Sequence, residues 1–466
     1  MKKHRLTVIS DIVANRIPLG SVVVGGWLRT RRDTKSFSFL ELNDGSSSRS
    51  IQIIADSKLE NYESAVKSLT MGASLECEGD LVVSKGKGQT FEIVASKITV
   101  LGTSEAETYP LQKKEMSYEY LRENAHLRAR TSTFASVFRI RSRVAKIIHD
   151  FFELQGFFYV HPPVISTAEC EGGVIPFQVT TLPLANLPRL ENGAVDYSKD
   201  FFGHPALLSG SGQLQGELLA LALGKIYTFA PTFRAENSNT SRHLAEFWQI
   251  EPEMAFYDLD DTIRLVQGLI KNVIERFLVE CKDDIEVVIA RNGTDPRANL
   301  ETVLTSDLSI LSYTEAIAIL KNSNRRFSFP VEWGCDLQTE HERFLCEEHF
   351  KGPTVVYNYP ADLKSFYMYF NDDHKTVAGA DILVPGIGEI VGSSQREHRL
   401  DVLRERMLVK GMKVQNYEWY LSTRRFGTVP HSGFGMGFER LLAWLTGMEN
   451  IRDVIPFPRS TGNCLF

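Results

Sequence analysis

Residues 229–253 read FAPTFRAENSNTSRHLAEFWQIEPE. Two β-prone arms flank a polar turn at 236–240, so the stretch reads as a long hairpin. Side chains alternate faces along a strand, which puts Arg234 and Glu236 on one face and gathers Phe247, Gln249 and Glu251 on a face of the returning arm. Arginines, acids and one aromatic on paired strands suit a nucleotide: guanidinium for phosphate, ring for base. Taken alone, the pattern fits a solvated hairpin with cross-strand ion pairs better than a nucleotide site. A second stretch, GFGMGFER at 433–440 followed by LLAWL, alternates glycines on a strand and so leaves one face bare for a flat ring. Arg440 then opens an apolar helix, where its side chain and the helix amides both favour an anion. The glycine spacing is not that of a dinucleotide fingerprint. Close helix–strand packing is its other reading.

Outward from the hairpin, the chain divides in two. Phe134, Val137, Phe138, Ile140, Val144, Ile147, Ile148 and Phe151 recur at helical spacing, and that helix stops near Gly156. Strands with glycine-rich turns then dominate to the carboxyl end. Residues 126–466 therefore read as a mixed α+β domain carrying the chemistry. Residues 1–102 differ: β-rich runs at 21–27, 37–42, 51–55, 74–84 and 90–99 are separated by turns such as Asn43-Asp44-Gly45. Five short strands predict a small barrel of the OB-fold type. This segment holds 14 Lys and Arg against 11 Asp and Glu, a balance of +3 that leaves −9 for the remainder, and it points nucleic acid at this end. Residues 103–125 are polar and read as a linker.

Composition bounds the class. The 466 residues are 43% hydrophobic and 24% charged with a formal charge of −6, which excludes disorder, collagen-like repeats and coiled-coil rods as whole-chain descriptions. Six cysteines without a CxxC pair make no disulfide framework and fit a reducing cytoplasm. No secretory signal and no uncharged apolar run of ~18 residues is present, so a soluble cytoplasmic chain without a membrane span is expected. Cys335, His341, Cys346 and His349 can be assembled on paper into a zinc site, but their spacings give no tight ligand pair, and no zinc is expected.

A helix ending in GFFYVHPP at 156–163, Arg-Ala-Glu at 234–236 with RHLAEF at 242–247, and the later GxGxGxER resemble, in this order, the three motifs of class II aminoacyl-tRNA synthetases. The barrel, with GGWLRTRRD at 25–33 and SFLELND at 38–44, resembles the anticodon-binding domain of the aspartate/asparagine/lysine subgroup. The resemblance implies a catalytic domain on a mostly antiparallel sheet flanked by helices, an aminoacyl-adenylate intermediate, transfer to the 3′-hydroxyl of tRNA, and a homodimer. EFWQIEPEMAF at 246–256, LQTEHERFL at 337–345 and YPADLKSFYM at 359–368 resemble the asparagine-specific branch. Aspartate-specific relatives carry a lysine where this chain has Gly216, within LSGSGQLQGE at 208–217. A neutral amide needs no second cation, and an unpaired buried ammonium would cost several kcal/mol. That favours L-asparagine and tRNA(Asn) as partners. An aspartate enzyme lacking the bacterial insertion domain, a synthetase-like ligase forming free asparagine, and a non-catalytic RNA-binding paralogue are the alternatives.

By the same resemblance, Arg234 binds the α-phosphate of ATP, Glu236 contacts adenine or the terminal adenosine, and Arg242 and His243 reach the γ-phosphate. Phe247 and Arg440 sandwich adenine. Asp381 and Glu389 hold Mg²⁺ on ATP. Glu171, in a loop loosened by two glycines, pairs the α-ammonium together with Gln213, while Arg396 donates to the side-chain carbonyl. In the barrel, Arg32, Phe39, Gln52 and Glu92 match anticodon-reading positions, with Phe39 stacking on a splayed base and Phe37 as the alternative platform.

Overall fold

The computed structural model describes residues 6–86, 88–112, 114–170, 175–238 and 240–466. The chain separates into two compact units, one of residues 1–139 with 283–291, the other of 140–282 with 292–466.

The first unit is built on a closed five-stranded barrel with strands Gly20–Asp33, Phe37–Asn43, Ile51–Asp56, Ser74–Val83 and Phe91–Gly102, the last two exchanging places in the order around the barrel. Alternation sends Leu40, Leu42, Ile51, Ile53, Leu75 and Cys77 inward to a buried core. The first strand runs six residues past the predicted 27. It pairs with Ser74–Val83 over its first half and with Phe37–Asn43 over its second, and a bulge between Leu28 and Thr30 turns the corner. The polar run Arg29–Asp33 is thus held by ladder bonds rather than by burial. Part of the predicted linker is folded as well: Ser117 caps the helix Tyr118–Glu123, and Leu111 and Leu121 pack with Phe134.

The second unit is an eight-stranded sheet. Its order is Ser309–Ser312, Thr354–Pro360, Thr376–Val384, Gly388–Gln395, His431–Gly437, Glu246–Ala255, Lys225–Phe233 and Phe158–Tyr159. Only the two outermost pairings are parallel. Five further helices of nine or more residues lie between 259 and 446 in this unit, the longest Leu259–Glu280 with an Asp258–Asp261 capping box. The expected dominance of strands toward the carboxyl end is therefore corrected: helices alternate with them, and the face of Leu259–Glu280 carrying Ile263, Val266, Ile270 and Ile274 is buried against this sheet. The helix Ser132–Leu154 ends where expected, and Gly156 follows with φ +75°. Among the described residues no helix is long and apolar enough to cross a membrane.

Candidate functional site

The hairpin forms, with Lys225 opposite Met254 through Phe233 opposite Glu246. Its connection is longer than predicted: the ladder stops at Phe233 and resumes at Glu246, so Arg234 and Glu236 stand in the loop and not on a strand face. Among the described residues of this loop the Arg234 amide still donates to Ala245 O at 3.0 Å, after which the Ala235 amide turns to Ile175 O at 2.7 Å and the Ala245 amide to Arg459 O at 2.8 Å. Within the loop His243 Nδ1 lies 3.0 Å from Ser238 Oγ and its Nε2 3.5 Å from Glu236 Oε2, while Arg242 donates to Thr339 Oγ1 at 2.7 Å.

The central strands enclose a cavity of about 440 Å³, in the range of small-ligand sites. Arg234, Glu236, Arg242, His243, Phe247, Gln213, Asp381, Glu389, Arg396 and Arg440 all line it, which gathers every described catalytic-domain residue singled out above except Gly216. Glu171 lies outside the described residues. One end is cationic and aromatic: the Arg234 guanidinium sits 5.3 Å from the Phe247 ring centroid, and Arg440, third in the helix Phe438–Thr446, is half-buried. Arg234, rather than Arg440, is thus the guanidinium over the ring in this structure. Gly435 and Gly437 line the cavity, and the nearest atom to a Cβ at Gly437 would be Arg440 Cβ at 3.7 Å, so part of the glycine face is bare. Gly433 is not: a Cβ there would lie 2.4 Å from the Glu253 carboxylate, which fills that place.

Beside this end, Asp381 and Glu389 rise from neighbouring antiparallel strands. A Cβ on Gly392 would lie 3.4 Å from Glu389 Oε1 and 3.7 Å from Asp381 Oδ1, so the two oxygens converge over a glycine that leaves them room. Hard carboxylate oxygens around a small gap fit Mg²⁺. Burial and the Asp381 charge push the Glu389 carboxyl up. Burial and Glu389 push the neighbouring Glu342, which accepts from the Glu389 amide at 3.0 Å, up to about 7.

The other end is a buried charge network. Arg396 forks onto Glu253 through Nε and Nη2 and donates from Nη1 to Ser394 Oγ at 2.7 Å. Burial pushes the Glu253 carboxyl up while the Arg396 fork pulls it back. Arg396 is itself held above its ordinary range despite burial, because Glu253 and Glu217 face it. Behind them Glu217 accepts from Arg424, from Tyr420 OH at 2.6 Å and from Gln213 Nε2 at 2.9 Å, which aims Gln213 at the cavity. Glu251 accepts from Ser211 and from the Gly212 amide at 2.9 Å. Two arginines, Arg396 and Arg424, therefore face two acids, Glu217 and Glu253, all four nearly or fully buried. Sequence reasoning missed Glu253, Glu217 and Lys364. The signal for the first was available, since period two from Phe247 also selects Glu253. Gly216 lies under the cavity: a Cβ there would meet Ile226 Cδ1 at 3.4 Å and Glu253 Cγ at 3.5 Å.

In the barrel, Arg32, Phe39 and Gln52 line a second cavity of about 620 Å³, joined by Glu41, Gln89 and Phe91. The Arg32 guanidinium sits 4.7 Å from the Phe39 ring centroid, and Phe37 packs edge-on against Phe39 at 4.9 Å. Glu92 is not on the wall. It is buried, and it accepts from Gln52 Nε2 at 3.2 Å, Ser84 Oγ at 2.8 Å and Gln89 Nε2 at 3.1 Å, so it orients two wall residues. On the zinc candidates, His341 Nδ1 accepts from the Gln338 amide at 3.1 Å and is engaged in its own helix start.

The family model described as tRNA synthetases class II (D, K and N) matches residues 117–461, and that of an OB-fold nucleic acid binding domain matches 22–101. The asparagine–tRNA ligase of a Nostoc species is 50% identical over 98% of this chain and 99% of its own length. That of Oleidesulfovibrio alaskensis is 53% identical over 97% and 98%. Among solved structures, asparaginyl-tRNA synthetase from Pyrococcus horikoshii complexed with asparaginyl-adenylate superposes with a TM-score of 0.86 at 31% identity over 99% of both chains.

Proposed function

The chain belongs to the class II tRNA synthetases, in the asparagine–tRNA ligase family, and we propose that its central cavity activates asparagine with ATP and hands the asparaginyl group to tRNA(Asn). One observation carries the reading: a single cavity joins a guanidinium- and ring-lined end to a floor where Arg396 is already forked by Glu253 and the buried acid Glu251 stands beside it. The first end suits a nucleoside triphosphate. The floor suits a neutral side chain. Arg396 can donate to the amide oxygen, and the Glu251 and Glu253 oxygens can accept from the amide NH₂; a second carboxylate would meet two acids and an arginine already paired.

The asparagine carboxylate attacks the α-phosphorus, the bond to the β-phosphate oxygen breaks, and pyrophosphate leaves. Arg234 and Arg440 stabilise the charge that builds on the phosphoryl oxygens, while Gln213 holds the amino acid in line. Asp381 and Glu389 would hold Mg²⁺, which supplies charge neutralisation on the triphosphate when bound. The terminal 3′-hydroxyl of tRNA then attacks the adenylate carbonyl and AMP leaves. Stacking on Phe39 and hydrogen bonds from Arg32 and Gln52 read the anticodon. The exposed apolar side chains Phe158, Tyr159, Val164 and Ile165, on and beside the open sheet edge, are the face through which two copies pair.

Amino-acid-dependent ATP–pyrophosphate exchange tests this. Strong exchange with asparagine alone is expected. Exchange with aspartate would overturn the substrate, and none with asparagine, aspartate or lysine would overturn the reaction.

A further inference from the structure

Lys364 follows the strand Thr354–Pro360 and lines the central cavity, yet neither substrate end requires it. Its ammonium stands 2.7 Å from Asp381 Oδ2, with the two side chains 17% and 15% exposed, and 3.9 Å from the Tyr359 ring centroid. It takes only the outer oxygen of Asp381. The inner one, Oδ1, turns with Glu389 Oε1 toward the space over Gly392. Across that space Arg440 Nη1 stands 4.0 Å from Glu389 Oε2. Each of the two carboxylates thus already has a cation on its far side. A divalent ion seated on the inner oxygens would lie within a few ångströms of the ammonium, in surroundings where water screens poorly, so the two repel. The negative charge of a triphosphate offsets that repulsion; water does not.

We propose that Lys364 is the resident counter-ion of the metal-binding carboxylates: it keeps divalent cations out of the nucleotide-free enzyme, so that the metal enters only together with the triphosphate. This rests on the reading that Asp381 and Glu389 hold the metal. It also gives the chain a reason to bury a lysine in a site meant for a cation. If Lys364 served only to hold Asp381 in place, its removal would leave that carboxylate misplaced and weaken a metal site, whereas removing a repelling charge strengthens it.

The experiment is titration of the full-length protein with Mn²⁺, following free Mn²⁺ by its electron paramagnetic resonance signal, with and without α,β-methylene-ATP. Without nucleotide, wild type is expected to take up little Mn²⁺, and Lys364→Met to bind it at least roughly ten-fold more tightly. Lys364→Arg, which keeps the charge, is expected to behave as wild type, and Lys364→Met with Asp381→Asn to lose the gained site. Lys364→Gln serves the same purpose should the methionine variant fail to fold. A neutral variant that binds Mn²⁺ no more tightly than wild type overturns the proposal, as does nucleotide-free wild type that binds it as tightly as with the analogue. The underlying reading fails separately, if wild type with the analogue shows no uptake that Asp381→Asn removes.

Discussion

Gly433 is glycine because the Glu253 carboxylate occupies the place of its side chain. Gly433→Ala drives a methyl into that carboxylate, which must then leave its fork with Arg396. Overpacking of this kind costs about 1–3 kcal/mol, so a lower melting temperature is expected. The sharper outcome is kinetic: the KM for asparagine rises at least several-fold while the KM for ATP stays near wild type, because the charge balance is lost at one end of the cavity only. Equal changes in both would show that the glycine serves general packing. A second residue sets a pH dependence. Glu342 is held near pH 7 by burial and by Glu389, so the unfolded chain ionises it first. Its contribution to stability is full below its ordinary value and is lost as pH rises from about 4.5 to about 7. Glu342→Gln should flatten that fall, narrowing the change in unfolding free energy between pH 4.5 and pH 8 by on the order of 3 kcal/mol. An identical pH profile in the two proteins would refute it. At this scale the sequence disclosed groups whose spacing repeats a pattern, such as Arg234 with Phe247. It offered the position of Glu253 but not its role, and it hid Lys364, because these depend on the register of Glu253 against Gly433 and on a lysine brought against a strand seventeen residues away.

Among elements, what was legible is what alternation and helical spacing encode. The five barrel strands followed from β-rich runs between turns, and the helix at 132–154 from its period. Strand ends did not follow, because they are set by partners: the first barrel strand continues to Asp33 only because Phe37–Asn43 is there to pair with it. That extension carries Arg32 to Phe39, where an exposed guanidinium and a half-buried ring form one platform. A base stacked on such a platform contributes about 1–3 kcal/mol. Phe39→Ala is therefore predicted to weaken tRNA aminoacylation by roughly ten- to hundred-fold, mainly through the KM for tRNA. Asparagine-dependent pyrophosphate exchange, which needs no tRNA, should stay within two-fold of wild type, as an order-of-magnitude expectation. If exchange falls in step with aminoacylation, Phe39 belongs to the barrel's stability and not to its reading surface.

For the molecule as a whole, the sheet of the second unit ends on one side in a strand of only two residues, Phe158–Tyr159, whose outer edge has no partner among the described residues. Phe158 is 56% exposed, and Val164 and Ile165 close by are 38% and 41% exposed. An open edge flanked by apolar side chains is a pairing surface, and soluble proteins otherwise cover or charge such edges. Pro162 and Pro163 between these residues add no charge that would keep a partner away, so the edge is unprotected unless a second copy covers it. A two-fold axis beside this strand would let the same residues of both copies meet, the commonest way in which chains self-associate. The motif that begins the catalytic unit then has two tasks: closing one sheet edge and setting the first strand beside Lys225–Phe233, whose far end leads to Arg234. Sedimentation equilibrium is predicted to give twice the chain mass for wild type. Phe158→Asp, which places a charge on the edge without touching the cavity, should shift the protein to monomer and lower pyrophosphate exchange with it. A wild-type protein that sediments as a monomer while fully active would remove the pairing, and a Phe158→Asp protein that remains dimeric would move it to another face.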